Sequence, residues 1–148
     1  MEENNITANQ EHKSTGNQVE DTANSQKRVL CIEDEYFIGE LYVRALRNAG
    51  YRATVVLNGT DGLEVARTNQ YEIILLDLMI PGLTGMEVLR ALRDTDASPN
   101  FKSKVIITTN LDQDDKTKAE VEKLADGYLI KAAITPKELV AYLDQLQV

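Results

Sequence analysis

Ile73 to Leu76 form an unbroken apolar run that Asp77 interrupts and Pro81-Gly82 ends. A run of this length, closed by turn residues, predicts a strand buried on both faces with Asp77 at its carboxyl end. Arg28-Val29-Leu30-Cys31-Ile32 and Val105-Ile106-Ile107 have the same character, and Tyr128-Leu129-Ile130 reads as a fifth strand ending in Lys131. Tyr51 to Leu57 is less uniformly apolar, which predicts a strand nearer the sheet edge. Between these runs the apolar residues recur at helical spacing. Ile38, Leu41, Tyr42, Ala45, Leu46 and Ala49 predict a first helix that Gly50 closes as a C-terminal cap. Asn58-Gly59-Thr60-Asp61-Gly62 reads as a turn before a short helix carrying Leu63, Val65 and Ala66. Thr84 and Glu87 have capping-box spacing at the start of a third helix, with Met86, Leu89 and Leu92 on one face. A polar fourth helix, capped within residues 112–115, runs to about Ala125 with Val121 and Leu124 as its scarce apolar contacts. Thr135, Pro136 and Glu138 open the last helix, whose stripe is Leu139, Tyr142, Leu143 and Leu146.

Five strands alternating with five helices predict a parallel sheet covered on both faces and joined by right-handed crossovers. The class is α/β. For a folded part of about 120 residues the natural solution is a flavodoxin-like, doubly wound five-stranded sheet of order 2-1-3-4-5.

Composition divides the chain in two. Residues 1–27 are rich in Asn, Gln, Glu, Ser and Thr, with Ile6 and Val19 as the only aliphatic branched side chains. Such a segment buries too little apolar surface to offset its ordering entropy, so a disordered acidic tail is expected there and one domain over 28–148. The tail has neither the apolar centre of a secretory signal nor the Arg-rich character of a transit peptide. No later run is long enough to span a bilayer, so a cytoplasmic protein without a membrane partner is expected.

The net charge is −8, and no block of Lys and Arg stands out, which argues against a nucleic-acid partner. Cys31, the single cysteine, lies inside an apolar strand and reads as core. His12, the single histidine, lies in the tail, which excludes a histidine nucleophile or base in the folded part.

The candidate chemistry lies at the strand ends. In a parallel sheet all carboxyl ends share one edge, where ligands bind. The first strand ends in Glu33 and Asp34, the third in Asp77, the fourth in Thr109 and the fifth in Lys131. Carboxylates forced together repel unless one is protonated or a cation sits among them. Oxygen ligands on a shallow rim suit Mg²⁺, which takes one or two carboxylates, phosphate oxygens and several waters. Asp77 beside such an ion is the best placed nucleophile for an acyl phosphate. Lys131 and Thr109 supply the positive charge and the donor that a transferred phosphoryl group needs.

This pattern resembles the receiver domain of two-component response regulators, of the stand-alone, chemotaxis-regulator-like type. The resemblance covers residues 28–147 and rests on Glu33-Asp34, on Asp77 followed by Met79-Ile80-Pro81-Gly82 and Gly85, on Thr109 and on Lys131. It implies that Glu33, Asp34 and Asp77 bind Mg²⁺, with the backbone carbonyl of Met79. It implies that Asp77 is phosphorylated by a sensor histidine kinase or a phosphotransfer protein. Lys131 would then pair with the phosphoryl group and Thr109 would move inward to it. Tyr128, three residues before Lys131, stands where the family places the aromatic that changes rotamer with the hydroxyl residue. The surface of helix four, strand five and helix five would then change its preference for a downstream protein partner. A phosphorylation-dependent homodimer is compatible with the same resemblance. Asn110, Ala132 and Leu124 depart from the small residue, the Pro and the Gly common at their positions.

Other readings compete. A haloacid-dehalogenase-like phosphatase needs a second Asp two residues after the first, where this chain has Met79. A dinucleotide module needs a G-x-G-x-x-G motif, which is absent. A receiver fold acting as a phosphorylation-independent interaction domain is the main alternative. The chain ends directly after the fifth helix, so an output domain is not expected in it, and action by partner binding or phosphoryl relay is.

Overall fold

The computed structural model describes residues 27–110 and 113–148. The expected tail falls almost wholly outside the described residues. Strands β1 (Arg28–Ile32), β2 (Arg52–Val56), β3 (Ile73–Asp77), β4 (Lys104–Thr109) and β5 (Gly127–Ile130) form one sheet in the order β2-β1-β3-β4-β5. Every neighbouring pair is parallel. Helices α1 (Tyr36–Asn48), α2 (Gly59–Ala66), α3 (Gly85–Arg93), α4 (Asp115–Leu124) and α5 (Pro136–Asp144) make the crossovers and close the chain. A short 3₁₀ turn over Lys131–Ala133 links β5 to α5. The class, the strand order and the element count are those the alternation predicts.

Strand alternation splits the interior into two layers. Leu30, Ile32, Ile74, Leu76, Val105 and Ile107 pack against Leu63, Val88, Leu89, Leu92 and Val121 of α2, α3 and α4. Val29, Cys31, Ile73, Leu75 and Ile106 pack against Tyr42, Val43, Leu46, Leu139 and Leu143 of α1 and α5. Each fully buried Leu or Ile stabilises the fold by about 1.5–3 kcal/mol relative to exposure. This is why β1, β3 and β4 read as unbroken apolar runs.

The caps behave as their spacing predicts. Thr84 with Glu87, and Thr135 with Glu138, close reciprocal capping boxes. Gly50 follows α1 at a φ of 96°.

Three expectations are corrected. Leu41 is exposed, at 54 %. The buried stripe of α1 is Gly39, Tyr42, Val43 and Leu46, which turns Leu41 to solvent. The turn expected at Asn58–Gly62 is the N-cap and first turns of α2, with the Asn58 side chain accepting from the Asp61 N–H. Gly62 there is a close-approach residue: a Cβ would lie 2.7 Å from the Ile32 side chain. Tyr51 and Leu57 fall outside β2, and Leu57 is exposed.

Tyr51 instead ties the sheet to the chain's last helix. It is buried, and its hydroxyl donates to Asp144 Oδ1 at 2.7 Å. Burial and this bond push the phenol well above its ordinary value. Tyr51→Phe is expected to lower the unfolding free energy by about 1.5–3 kcal/mol, the usual worth of a hydrogen bond to a charged group. Urea unfolding followed by circular dichroism measures it.

Candidate functional site

The strand register assembles the site. Ile32 pairs with Leu76, so Glu33 stands beside Asp77, and Asp77 pairs with Thr108. Cys31, Leu75 and Ile106 face α1 and α5. Glu33, Asp77 and Thr108 lie two residues further on and share that face by alternation. Thr109 and Tyr128 belong to the opposite face, with Ile107 opposite Tyr128 and Thr109 opposite Ile130. Thr109 and Tyr128 are therefore diagonal neighbours on adjacent strands.

Lys131 reaches back over the sheet edge. Its Nζ donates to Glu33 Oε2 at 2.5 Å and to Asp77 Oδ2 at 2.8 Å. All three side chains are at most 5 % exposed. Asp77 Oδ1 accepts the Met79 N–H at 3.0 Å, and Glu33 Oε1 accepts the Glu35 N–H at 3.1 Å. Every carboxylate oxygen of the pair thus carries a donor. Gly85 lets the loop after β3 fold against this strand end, since a Cβ there would collide with the Asp77 carbonyl. Its N–H donates to the Leu78 carbonyl at 3.1 Å.

Two carboxylates share one ammonium, which leaves an excess negative charge. Burial pushes the Glu33 carboxyl up, the Lys131 hydrogen bond opposes this, and the charge of Asp77 adds to the rise. Burial alone would lower the Lys131 ammonium, but its bonds to Asp77 and Glu33 outweigh burial and raise it. Its stabilising effect is then fully present below the ordinary lysine value of 10.5 and is lost as pH rises through the higher folded value. The protein is expected to lose stability in that alkaline window in a step that Lys131→Met lacks. Urea titrations of both proteins between about pH 9 and about pH 12 measure the difference.

Oxygens of Glu33, Asp34 and Asp77 lie within 4.8 Å of one another, with Asp34 exposed. An all-oxygen donor set, walled on one side and open to water on the other, fits Mg²⁺ with part of its hydration shell kept. Met79 is exposed at 67 %. Cys31, two residues before Glu33, is held inert by burial, which pushes its thiol up to about 12.

Thr109 is fully buried, and its hydroxyl accepts from Gln113 Nε2 at 3.4 Å. Tyr128 is half-buried and lines a cleft of about 280 Å³ with Lys118, Val121 and Glu122 of α4. Asn110 Nδ2 lies 3.5 Å from Glu35 Oε1. Leu124 ends α4, and its carbonyl accepts from Arg93 Nε at 2.7 Å. No peptide bond among the described residues is cis, Lys131–Ala132 included. Two contacts escape sequence reading: the direct Glu33–Lys131 pair and the Gln113–Thr109 bond.

A doubly wound sheet whose carboxyl edge joins two buried carboxylates, an exposed one and a buried lysine defines a receiver-type signalling domain. The chain belongs to the response regulator receiver domain family, whose model matches residues 29–144. It is a receiver domain of two-component response regulators, a phosphorylation-based signalling module and not a classical enzyme. It is 38 % identical over 105 residues to the transcriptional regulatory protein PcoR of Escherichia coli, covering 71 % of this chain and 45 % of PcoR. It is 34 % identical over 116 residues to the DNA-binding response regulator MtrA of Mycobacterium tuberculosis strain H37Rv, covering 78 % of this chain and 48 % of MtrA. The chain thus spans about half the length of these relatives or less. The chemotaxis protein CheY4 of Vibrio cholerae superposes with a TM-score of 0.70 at 24 % identity, covering 82 % of this chain and 99 % of that one, which shows the shared fold. Receiver domains bind Mg²⁺ through acidic residues, and the carboxylate cluster is present here. No helix among the described residues is long and apolar enough to cross a membrane.

Proposed function

We propose that Asp77 is the phosphoryl acceptor of a signalling switch whose domain spans residues 28–148. The observation that carries this is the Asp77 carboxylate, held by the Met79 N–H and Lys131 within a cluster that includes Glu33 and Asp34. Glu33, Asp34 and Asp77, with the Met79 carbonyl, would hold Mg²⁺. The ion would supply neutralisation of phosphoryl oxygens during transfer. The Met79 N–H orients one oxygen of Asp77 and leaves the carboxylate poised at the strand end. Lys131 would hold the phosphoryl oxygens, and the Thr109 hydroxyl would turn inward to donate to one of them. Thr109 leaving Gln113 would let Tyr128 repack against α4, and the α4–β5–α5 face would change its affinity for a protein partner. Self-catalysed transfer and hydrolysis, a histidine kinase or phosphotransfer protein as donor, and a cytoplasmic site of action belong to the same reading.

The test is incubation with acetyl phosphate and Mg²⁺, followed by intact mass. One added phosphoryl group, absent without Mg²⁺, is the expected result. No uptake, together with no Mg²⁺-dependent binding of beryllofluoride, would leave a phosphorylation-independent interaction domain as the better reading.

A further inference from the structure

We propose that the acidic segment preceding β1 docks, through Glu20 and Asp21, on a basic ledge formed by the strand starts, against Lys102 and Lys104. The ledge is the sheet edge opposite the carboxylate cluster, and backbone bonds run across it in series. The Arg52 N–H donates to the Lys27 carbonyl, the Glu72 N–H to that of Arg28, and the Lys104 N–H to that of Glu72. Arg28, Arg52 and Lys104 begin β1, β2 and β4, with Lys27 and Lys102 just ahead of them. The acids nearby are already taken. Glu72 pairs with Arg28, and Asp126 pairs with Arg93 at 2.6 Å and with Lys104 at 3.8 Å. Among the described residues no hydrogen bond or ion pair engages the side chain of Lys27, Arg52 or Lys102. Arg52 and Lys102 are exposed, and Lys102 and Lys104 wall a cleft of about 250 Å³ with Tyr71 and Glu72. Bases in the last turn of a helix answer its dipole. These five stand on strand starts, where that explanation does not reach.

The chain supplies an anionic occupant of its own. Residues 1–26, outside the described residues, carry Glu2, Glu3, Glu11, Glu20 and Asp21 against the single base Lys13. They join the domain at Lys27, on the ledge itself. Six residue steps separate Asp21 from Lys27, and an extended chain spans about 20 Å in six residues. β4 lies two strands from β1, about 10 Å away. Glu20 and Asp21 therefore reach Lys102 and Lys104. The opposite edge, with Glu33, Asp34 and Asp77, repels the same segment. Exposed ion pairs are individually weak. A short tether compensates by holding the partners at an effective concentration of about millimolar. An anionic partner in trans would have to displace this segment from the ledge. The inference does not depend on phosphorylation of Asp77.

The test is zero-length carbodiimide crosslinking of the full chain, mapped by peptide mass spectrometry. Amide links from Glu20 or Asp21 to Lys102 or Lys104 are the expected result, with the Lys104–Asp126 pair as internal reference. A mixture of isotope-labelled and unlabelled protein separates links within one copy from links between copies. The reference link without any from Glu20 or Asp21 would overturn the proposal. So would links that form only between copies, which would make the occupant a second copy. Nuclear magnetic resonance gives a readout independent of the reagent. The Glu20→Gln/Asp21→Asn variant of the full chain should shift the amides of Glu72, Lys102 and Lys104 at about 0.01 M salt, where the screening length is about 30 Å. At about 1 M salt, where that length is about 3 Å, the two proteins should coincide at these amides. Amides that already coincide at low salt would overturn the docking, and so would a shift that persists undiminished at high salt.

Discussion

Lys131→Met is expected to cost about 3–5 kcal/mol of unfolding free energy, the usual price of leaving buried charge uncompensated. That is a large share of the roughly 5–15 kcal/mol that holds a typical domain together. Lys131 is the cation bonded to both Glu33 and Asp77, whose side chains are at most 5 % exposed. Without it two almost fully covered carboxylates face each other with no counter-charge between them. The variant should answer to pH in a way that identifies the cause. The Glu33 carboxyl, already raised by burial, rises further when its hydrogen-bond donor is gone. A raised folded value means the native state binds more protons, so stability grows as pH falls toward the carboxyl range. Glu33→Gln added to Lys131→Met should recover part of the loss for the same reason. Urea unfolding at about pH 7 and about pH 5 measures both effects. A loss under about 1 kcal/mol would place Lys131 among ordinary surface ion pairs and remove its role as counter-ion.

The parts of this site visible in the sequence are those fixed by the sheet. An apolar run ending in an acid, as at Ile73–Asp77, says where the carboxylate goes, because strand ends of a parallel sheet share an edge. Glu33, Asp77 and Lys131 stand at the ends of three strands of that sheet, on its shared edge. What sequence reading missed depends on side-chain reach. That Lys131 grips Glu33 as well as Asp77 follows from its arm folding back across β3, and no periodicity encodes that. Gln113 meets Thr109 through a loop whose path the pattern leaves open. The glycines of α2 misled for a related reason. Asn58-Gly59 and Gly62 have turn chemistry, but here they cap a helix and let it approach Ile32, a demand set by packing. Leu41 shows the same limit in α1, where a six-member apolar set is wider than the face the sheet covers.

Asp77→Asn is expected to abolish uptake of a phosphoryl group while leaving the fold intact, and this pairing separates a chemical role from a structural one. An amide cannot form the acyl phosphate that a carboxylate forms. Its cost to the fold is small on charge grounds, because Glu33 and Lys131 then pair one to one. Against this relief, the amide sets one donor toward Lys131 or toward the Met79 N–H, both themselves donors. An unsatisfied donor costs about 1–3 kcal/mol, and relief of the excess buried charge offsets it. Net stability should stay within about 1 kcal/mol of wild type, in sharp contrast to Lys131→Met. Mg²⁺ should bind more weakly, since one of three carboxylates is gone. The measurement is intact mass after acetyl phosphate and Mg²⁺, at Mg²⁺ high enough to saturate the variant, with urea unfolding alongside. Uptake by a folded, Mg²⁺-loaded Asp77→Asn protein would move the acceptor elsewhere, and exposed Asp34 is the next carboxylate in reach. Loss of uptake with an unchanged fold leaves Asp77 as the acceptor, because nothing else in the site has then been altered enough to explain it.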